Sequence, residues 1–283
     1  MVKKSILVLS LVTTISFSCQ NGGNRIYRET YKEKKAVTEY RLLWADEFDG
    51  DQINPDNWSF EIWDAGRVNG EWQQYVKNPE NYKLRDGKLY ITATRTGKNE
   101  KGGYASTRLS SRGKKEITYG RVEFRARMPS GVGTWPALWM LGANITEVGW
   151  PWCGELVILE YVGFQPDTIH SNVFTMHQSE VTECHRLVPL PTAEDEFHIY
   201  GMTWTTDSIA FYLDDPSNIV NIYSPEIKTE ESWPFDQPFF VIMNFAVGGN
   251  WGGKKGVDET IWPQSMIVDY VRVYQLNQKP ETK

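Results

Sequence analysis

No stretch of this chain repeats apolar residues at the i, i+3, i+4, i+7 spacing of an amphipathic helix. Short runs rich in Val, Ile, Tyr, Phe and Trp follow one another instead, cut by Gly, Pro, Asn and Asp. Leu84–Thr94 with its Asp86-Gly87 turn, Gly120–Met128, Trp135–Leu141, Glu155–Val162, Ile169–His177, Phe197–Thr205, Ser208–Leu213, Phe239–Val247 and Met266–Gln275 all read as strands. Strands without crossover helices between them pair antiparallel, and a sheet with an apolar face has to bury it against another layer. The expected fold is therefore all-β, a sandwich of two antiparallel sheets. Arg121-Val122-Glu123-Phe124-Arg125-Ala126-Arg127 alternates charged with small or apolar groups, as a strand with one wet and one packed face does. Pro and Gly are spread as turns and do not gather into a linker, and no segment repeats, so the body is read as one domain.

The first residues read as an export signal. Lys3 and Lys4 precede an apolar run from Ile6 to Phe17, too short to span a bilayer as a permanent helix but suited to a signal-peptide core. Ser18-Cys19 closes that run and resembles a bacterial lipobox, with Cys19 lipidated as the new N-terminus; the alternative is an ordinary secretory signal with an incidental Cys. The expected organisation is a lipoprotein signal peptide over 1–18, a polar, Gly-containing tether over 19–40 and the folded domain over 41–276. Such a chain is exported and meets the membrane only through its lipid, facing the periplasm or the cell surface, and it is expected to act as a monomer. A net charge of −6 with no basic patch argues against a nucleic-acid partner. Twelve Trp and fourteen Tyr exceed what a core of this size needs, and flat rings with a polar edge suit stacking on sugars. Cys153 and Cys184 remain in the body, either paired or free. Only Cys184 and His185 adjoin as metal-type ligands, so zinc is not expected.

Within Trp150-Pro151-Trp152-Cys153-Gly154-Glu155-Leu156-Val157-Ile158-Leu159-Glu160-Tyr161-Val162-Gly163, two carboxylates interrupt an apolar strand. Carboxylates are costly to bury there unless a cleft uses them. In a regular strand 155, 157 and 159 share a face and Glu160 points away; a β-bulge between the glutamates restores the parity. Their Cα atoms then lie roughly 13 Å apart at ~3.3 Å per residue, close enough for inclined side chains to approach the ~5–5.5 Å spacing of retaining glycosidases.

Five segments stand in a telling order: Gly133-Thr134-Trp135-Pro136-Ala137-Leu138-Trp139-Met140-Leu141-Gly142, the glutamate strand, Phe197-His198-Ile199-Tyr200-Gly201-Met202-Thr203-Trp204, Asn244-Phe245-Ala246-Val247-Gly248-Gly249-Asn250-Trp251, and Val268-Asp269-Tyr270-Val271-Arg272-Val273-Tyr274. Trp44-Ala45-Asp46-Glu47-Phe48-Asp49-Gly50 and Asn69-Gly70-Glu71-Trp72-Gln73-Gln74-Tyr75 extend the pattern. The chain resembles glycoside hydrolase family 16, specifically its laminarinase-like endo-β-glucanases, over about residues 42 to 275. The resemblance implies a concanavalin A-like β-jelly-roll with a concave sugar cleft. It implies endo-hydrolysis with retention of β-linked polysaccharide, β-1,3- or β-1,3-1,4-glucan first and a related galactan second. Glu155 falls on the family's nucleophile and Glu160 on its acid/base. By the same resemblance Asn69, Trp135, Trp139 and Trp251 line the cleft, with core packing the alternative for Trp139. Arg108 either donates to sugar hydroxyls or sits in a surface salt bridge. No cofactor is implied for catalysis, but a structural Ca²⁺ is, held by Asp269 with Glu47 and the Gly87 carbonyl as companions.

Two positions depart from the family pattern. Val157 stands where the family has Asp, and Phe174 in His170-Ser171-Asn172-Val173-Phe174-Thr175 stands at the second His of a His-x-x-x-His-Thr run. His177, three residues on, is read as an ordinary loop or strand-end residue. These losses leave three functional alternatives: an active glycosidase, a catalytically impaired surface glycan-binding lipoprotein that keeps the cleft, and a purely structural envelope protein.

Overall fold

The computed structural model describes residues 40–178 and 184–276; the expected signal peptide, Cys19 and nearly all of the tether lie outside the described residues. The first strands are β1 (Tyr40–Asp46), β2 (Ser59–Phe60), β3 (Gln73–Tyr75), β4 (Tyr82–Arg85), β5 (Lys88–Arg95) and β6 (Tyr104–Ser106). They are followed by β7 (Arg108–Ser110), β8 (Glu116–Ile117), β9 (Gly120–Arg127), β10 (Thr134–Gly142), β11 (Glu155–Tyr161) and β12 (Thr168–Phe174). The remainder are β13 (Arg186–Pro189), β14 (His198–Trp204), β15 (Ile209–Leu213), β16 (Ile219–Tyr223), β17 (Phe239–Val247) and β18 (Gln264–Leu276). Two four-residue helices, α1 (Ile145–Val148) and α2 (Gly249–Gly252), sit in loops.

The strands form two sheets. One runs β16-β15-β14-β9-β18-β5-β6-β3, with β1 also on β18 and β4 on β5; the other runs β13-β12-β11-β10-β17-β7-β2, with β8 also on β17. All pairings are antiparallel except β3 with β6. Every run expected to be a strand is one, but the run from Ile169 stops at Phe174, and Met176–Gln178 form a 3-10 turn that holds His177. His177 donates its backbone N–H to the Glu231 carbonyl at 3.1 Å, away from the glutamate strand, as a strand-end residue does.

The core lies between the sheets, and period-two alternation decides who enters it. On β17, Phe239, Val241, Met243, Phe245 and Val247 pack into it, which sends Phe240, Ile242, Asn244 and Ala246 to the opposite face. On β10, Leu138 and Met140 face the core, while Trp135, Ala137, Trp139 and Leu141 join that same outer face. In the other sheet Val122, Phe124 and Ala126 enter the core from β9. Cys153 is a buried free thiol, so the two body cysteines do not pair.

Candidate active site

Strand β11 carries one residue more than its neighbours allow. Against β10, Leu138 pairs with Leu159 but Trp139 pairs with Val157. Against β12, Val157 pairs with Asn172 and Glu160 with His170, two residues opposing one. This is a β-bulge at 158–159, and it turns both Ile158 and Leu159, together with Leu156 and Tyr161, into the core. Glu155, Val157 and Glu160 are thereby left on the concave face. Register sets Arg108, Asn244, Ala137, Glu160 and His170 side by side across five strands, a cleft floor perpendicular to the strand direction.

Each glutamate is half-buried and held by one indole. Trp150 Nε1 donates to Glu155 Oε2 at 3.0 Å, and Trp135 Nε1 donates to Glu160 Oε1 at 2.9 Å. Burial pushes the Glu155 carboxyl up to about 7, an effect tempered by the Trp150 hydrogen bond and the Arg108 charge. Glu160 is pushed up to about 8, first by burial, then by the charges of Glu155 and, more weakly, Glu71, against the Trp135 hydrogen bond. Glu160 thus holds its proton after Glu155 has lost its own. An ionised carboxylate beside a protonated one is the pairing a retaining glycosidase needs.

On the β17 and β7 side the floor is a hydrogen-bond network. Trp139 Nε1 donates to Asn244 Oδ1 at 2.7 Å, and Asn244 Nδ2 donates to Tyr75 OH at 2.9 Å. Glu71 is the hub: it accepts from Tyr75 OH at 3.3 Å, from Gln73 Nε2 at 2.7 Å and from Asn69 Nδ2 at 3.2 Å. Burial raises the Glu71 pKa, and these three donors with the Arg108 charge work against the rise. Gln73 Oε1 in turn accepts the Val247 N–H at 2.7 Å, tying the network to β17. Gly249 (φ 78°) allows the approach, since a Cβ there would lie 2.9 Å from the Asn69 carbonyl oxygen. Arg108 is buried and ion-paired with Glu61, with its guanidinium 4.3 Å from the Trp63 ring centre and 4.8 Å from that of Trp139. Its salt bridge is therefore internal, and a surface pair is excluded. Trp139 is half-buried on the concave face and outside the core cluster, while Asn69 is exposed at the rim.

The β11 and β12 side is drier. Val157 stands between the glutamates, and Phe174 pairs across from Glu155 with its ring 6.0 Å from that of Trp150. Trp251 packs edge-on to Trp135 at 5.5 Å and to His170 at 4.9 Å. His170 Nδ1 and His185 Nε2 share a hydrogen bond of 2.9 Å, and burial holds the His170 pKa down at about 4. Its Nε2 is buried without a hydrogen-bond partner. The structure brings Trp135, Trp139, Trp251, Asn69 and Arg108, which the sequence singled out, to or beside this floor; Glu61, Trp63, Glu71, Gln73, Tyr75, Asn244 and His185, their partners there, were not singled out. The motif around Asn69 carried three of those without signalling their roles.

Two of the residues expected to hold Ca²⁺ have cationic side-chain partners in this structure. Asp269 is ion-paired with Arg125 and lies 3.6 Å from Lys88 Nζ, and Glu47 takes both Nε and a terminal nitrogen of Arg272 at 2.8 and 2.9 Å. Guanidinium groups thus neutralise both carboxylates here, and the side chain facing the Gly87 turn is that of Asp49. Among the described residues no three acidic, His or Cys side chains converge as a metal site.

The model of the family described as "Glycosyl hydrolases family 16" matches residues 68–271. The chain belongs to that family. It is 42% identical over 248 residues to a β-glucanase of Rhodothermus marinus, covering 83% of this chain and 85% of that one. The fold matches the crystal structure of laminarinase from Flavobacterium sp. UMI-01 with a TM-score of 0.77 at 44% identity, over 83% of this chain and all (100%) of that one. The laminarinase of Rhodothermus marinus gives a TM-score of 0.80 at 40% identity, over 86% and 100%. The two sheets are thus the family-16 jelly-roll, and the chain is a glycosidase by family, acting on O-glycosyl bonds.

Proposed function

We propose that this protein hydrolyses internal bonds of a β-1,3- or β-1,3-1,4-glucan with retention of configuration. The observation that carries the reading is the bulge at 158–159, which turns Glu155 and Glu160 to one face and leaves each with a single indole donor. Glu155, as carboxylate, attacks the anomeric carbon while Glu160 passes its proton to the departing glycosidic oxygen. The glycosyl ester on Glu155 is then cleaved by a water whose proton Glu160 takes, restoring both groups. The network under Trp139 and Arg108 gives sugar hydroxyls fixed polar partners, and Trp135 and Trp251 offer ring faces. The β-glucanase and laminarinase relatives support a glucan backbone. Incubation with laminarin, mixed-linkage glucan, agarose and carrageenan, followed by a reducing-end assay, tests this: new ends are expected from the first two, and their absence from all four defeats it.

One observation favours a second reading. Val157 offers neither donor nor acceptor between the two carboxylates, which suits a glycan-binding protein that has kept the cleft and lost turnover. Retention of the intact protein in a laminarin-containing native gel without release of reducing ends supports that alternative. For placement, we propose export and anchoring through lipidated Cys19; loss of radiolabelled palmitate incorporation in Cys19→Ala tests it.

A further inference from the structure

A second concavity adjoins the cleft. It is open, has a volume of about 870 Å³, and is walled by Asn144, Val148, Trp152, Glu230, Trp233 and Gln237 among others. That volume lies in the range of small-molecule sites, roughly 300–1,000 Å³. Two elements build it: the loop joining β10 to β11, including α1, and the segment leading from β16 into β17.

The β10–β11 loop is rigidly pinned. Cys153 N–H donates to the Gly149 carbonyl at 3.0 Å, Gly154 N–H to the Pro151 carbonyl at 2.9 Å, and Gln237 Nε2 to the Cys153 carbonyl at 3.1 Å. From this one clamp two tryptophans project. Trp150 reaches into the cleft and holds Glu155, while Trp152, two residues later, lines the second concavity and is 40% exposed. A large ring left that open on a fixed loop costs hydration unless something covers it.

The surrounding chemistry narrows what the cover is. The polar groups are of mixed sign: Lys228 against Glu230 and Asp236. Lys228 is already committed, lying 4.0 Å from the Trp233 ring centre and 3.6 Å from Asp207, and Asp236 accepts from Tyr119 OH and Trp233 Nε1 at 2.7 and 2.6 Å. Of these three, Glu230 alone has neither an ion pair nor a hydrogen bond, which leaves the site one acceptor-only carboxylate and no uncommitted cation among its lining residues. An aromatic plate beside an unfilled acceptor suits an uncharged, hydroxyl-bearing ring.

We infer that this concavity is a second sugar-binding site, separate from the cleft, in which a glucosyl unit of a β-glucan chain stacks on Trp152 and donates a hydroxyl to Glu230. The inference rests on the glucan reading above. It gives the protein a hold on polymer that a short oligosaccharide, filling only the cleft, does not engage.

The test uses retardation of the protein in native gels containing laminarin, in a Glu155→Gln background that prevents turnover, with hydrolysis of a short laminari-oligosaccharide by the Glu155 chain as the control. Trp152→Ala is expected to weaken laminarin affinity about threefold to tenfold, on the scale of one stacking contact, and to leave oligosaccharide kcat/KM within about twofold. Trp152→Tyr keeps a ring and is expected to restore most of the retardation. Unchanged retardation in Trp152→Ala overturns the site, as does a Tyr variant that behaves like Ala. Equal losses on polymer and oligosaccharide also overturn it, since Trp152 then belongs to the cleft. If the Glu155→Gln chain itself is not retarded and the Glu155 chain releases no ends, the glucan reading falls with it.

Discussion

The two halves of the cleft floor are built on opposite principles. On the β7 and β17 side nearly every polar atom is spoken for: Glu71 collects three donors, Asn244 links Tyr75 to Trp139, and Arg108 is ion-paired and flanked by two rings. On the β11 and β12 side two carboxylates stand among Val157, Phe174 and a histidine with an orphan nitrogen, each with one indole for support. A fully satisfied buried network fixes side chains and presents a preformed surface to sugar. A sparsely supported pair of carboxylates relies on burial to set its charges. Recognition and chemistry in this cleft are therefore separable, and their supports have been thinned unequally.

The largest expected effect tests that separation directly. Glu155→Gln removes the nucleophile and is expected to lower glucan hydrolysis by roughly four powers of ten or more, while Glu160→Gln lowers it by about two to four. Neither touches the network around Glu71, so laminarin retardation in native gels should persist in both. A variant that loses polymer binding together with turnover would show that the halves are not independent.

Acidity is next in size. Glu155 must be ionised and Glu160 protonated, so the rate should rise through about pH 7 and fall above about pH 8. As the two charges interact, the limbs belong to the pair and not to single residues. Below the acid limb each pH unit removes roughly tenfold, and because its midpoint lies at about pH 7, pH 5 should show about one-fiftieth of the rate at pH 7. A kcat/KM profile flat down to pH 5 would mean that Glu155 is far better solvated than its apolar neighbours imply.

Val157→Asp puts a polar partner back on the dry half. A group that orients the carboxylates should raise kcat by roughly tenfold, about 1.4 kcal/mol, with little change in KM. Phe174→His, across from Glu155, should add to it, and because both side chains neighbour Glu155 the double variant is not expected to be simply additive. An increase confined to KM would shift the defect to the recognition half.

Much of this was legible in the chain itself, and the reason differs by level. The long strands announce themselves through period-two alternation, whereas β2, β3, β6, β7 and β8 are two or three residues long, shorter than any period. The bulge could be anticipated because two carboxylates of opposite parity on one apolar strand demand it. Trp135 and Trp139 fall on one face for the same arithmetical reason. The bond from Asn244 to Tyr75, and the pairing of Arg108 with Glu61, join segments far apart in sequence, and nothing within either segment records the register that brings them together. The cationic partners of Asp269 and Glu47 were hidden for the same reason: Arg125, Lys88 and Arg272 are not their neighbours until β18 pairs with β9, β5 and β1.

The smallest expected effect concerns stability. Glu160 has an ordinary pKa near 4.5 in the unfolded chain and about 8 in the fold. Between those values the folded protein binds the extra proton, so its stability falls as pH rises from about 4.5 through about 8. The dry half thus carries an electrostatic cost that the hydrogen-bonded half, with its donors around Glu71, has reduced. Glu160→Gln removes the titrating group while its amide oxygen can still accept from Trp135. The full shift corresponds to about 4 kcal/mol at pH 8; discounted for a half-buried carboxylate that water and chain relaxation partly relieve, the substitution should stabilise the fold by about 1 kcal/mol, raising Tm by about 2–4 °C in a domain of this size. At pH 4, where Glu160 is protonated in both states, the two proteins should melt together. Equal stabilisation at both pH values would point to improved packing and remove burial of charge as the cost; no stabilisation at either would mean that water already reaches Glu160 and that the dry half is wetter than its neighbours suggest.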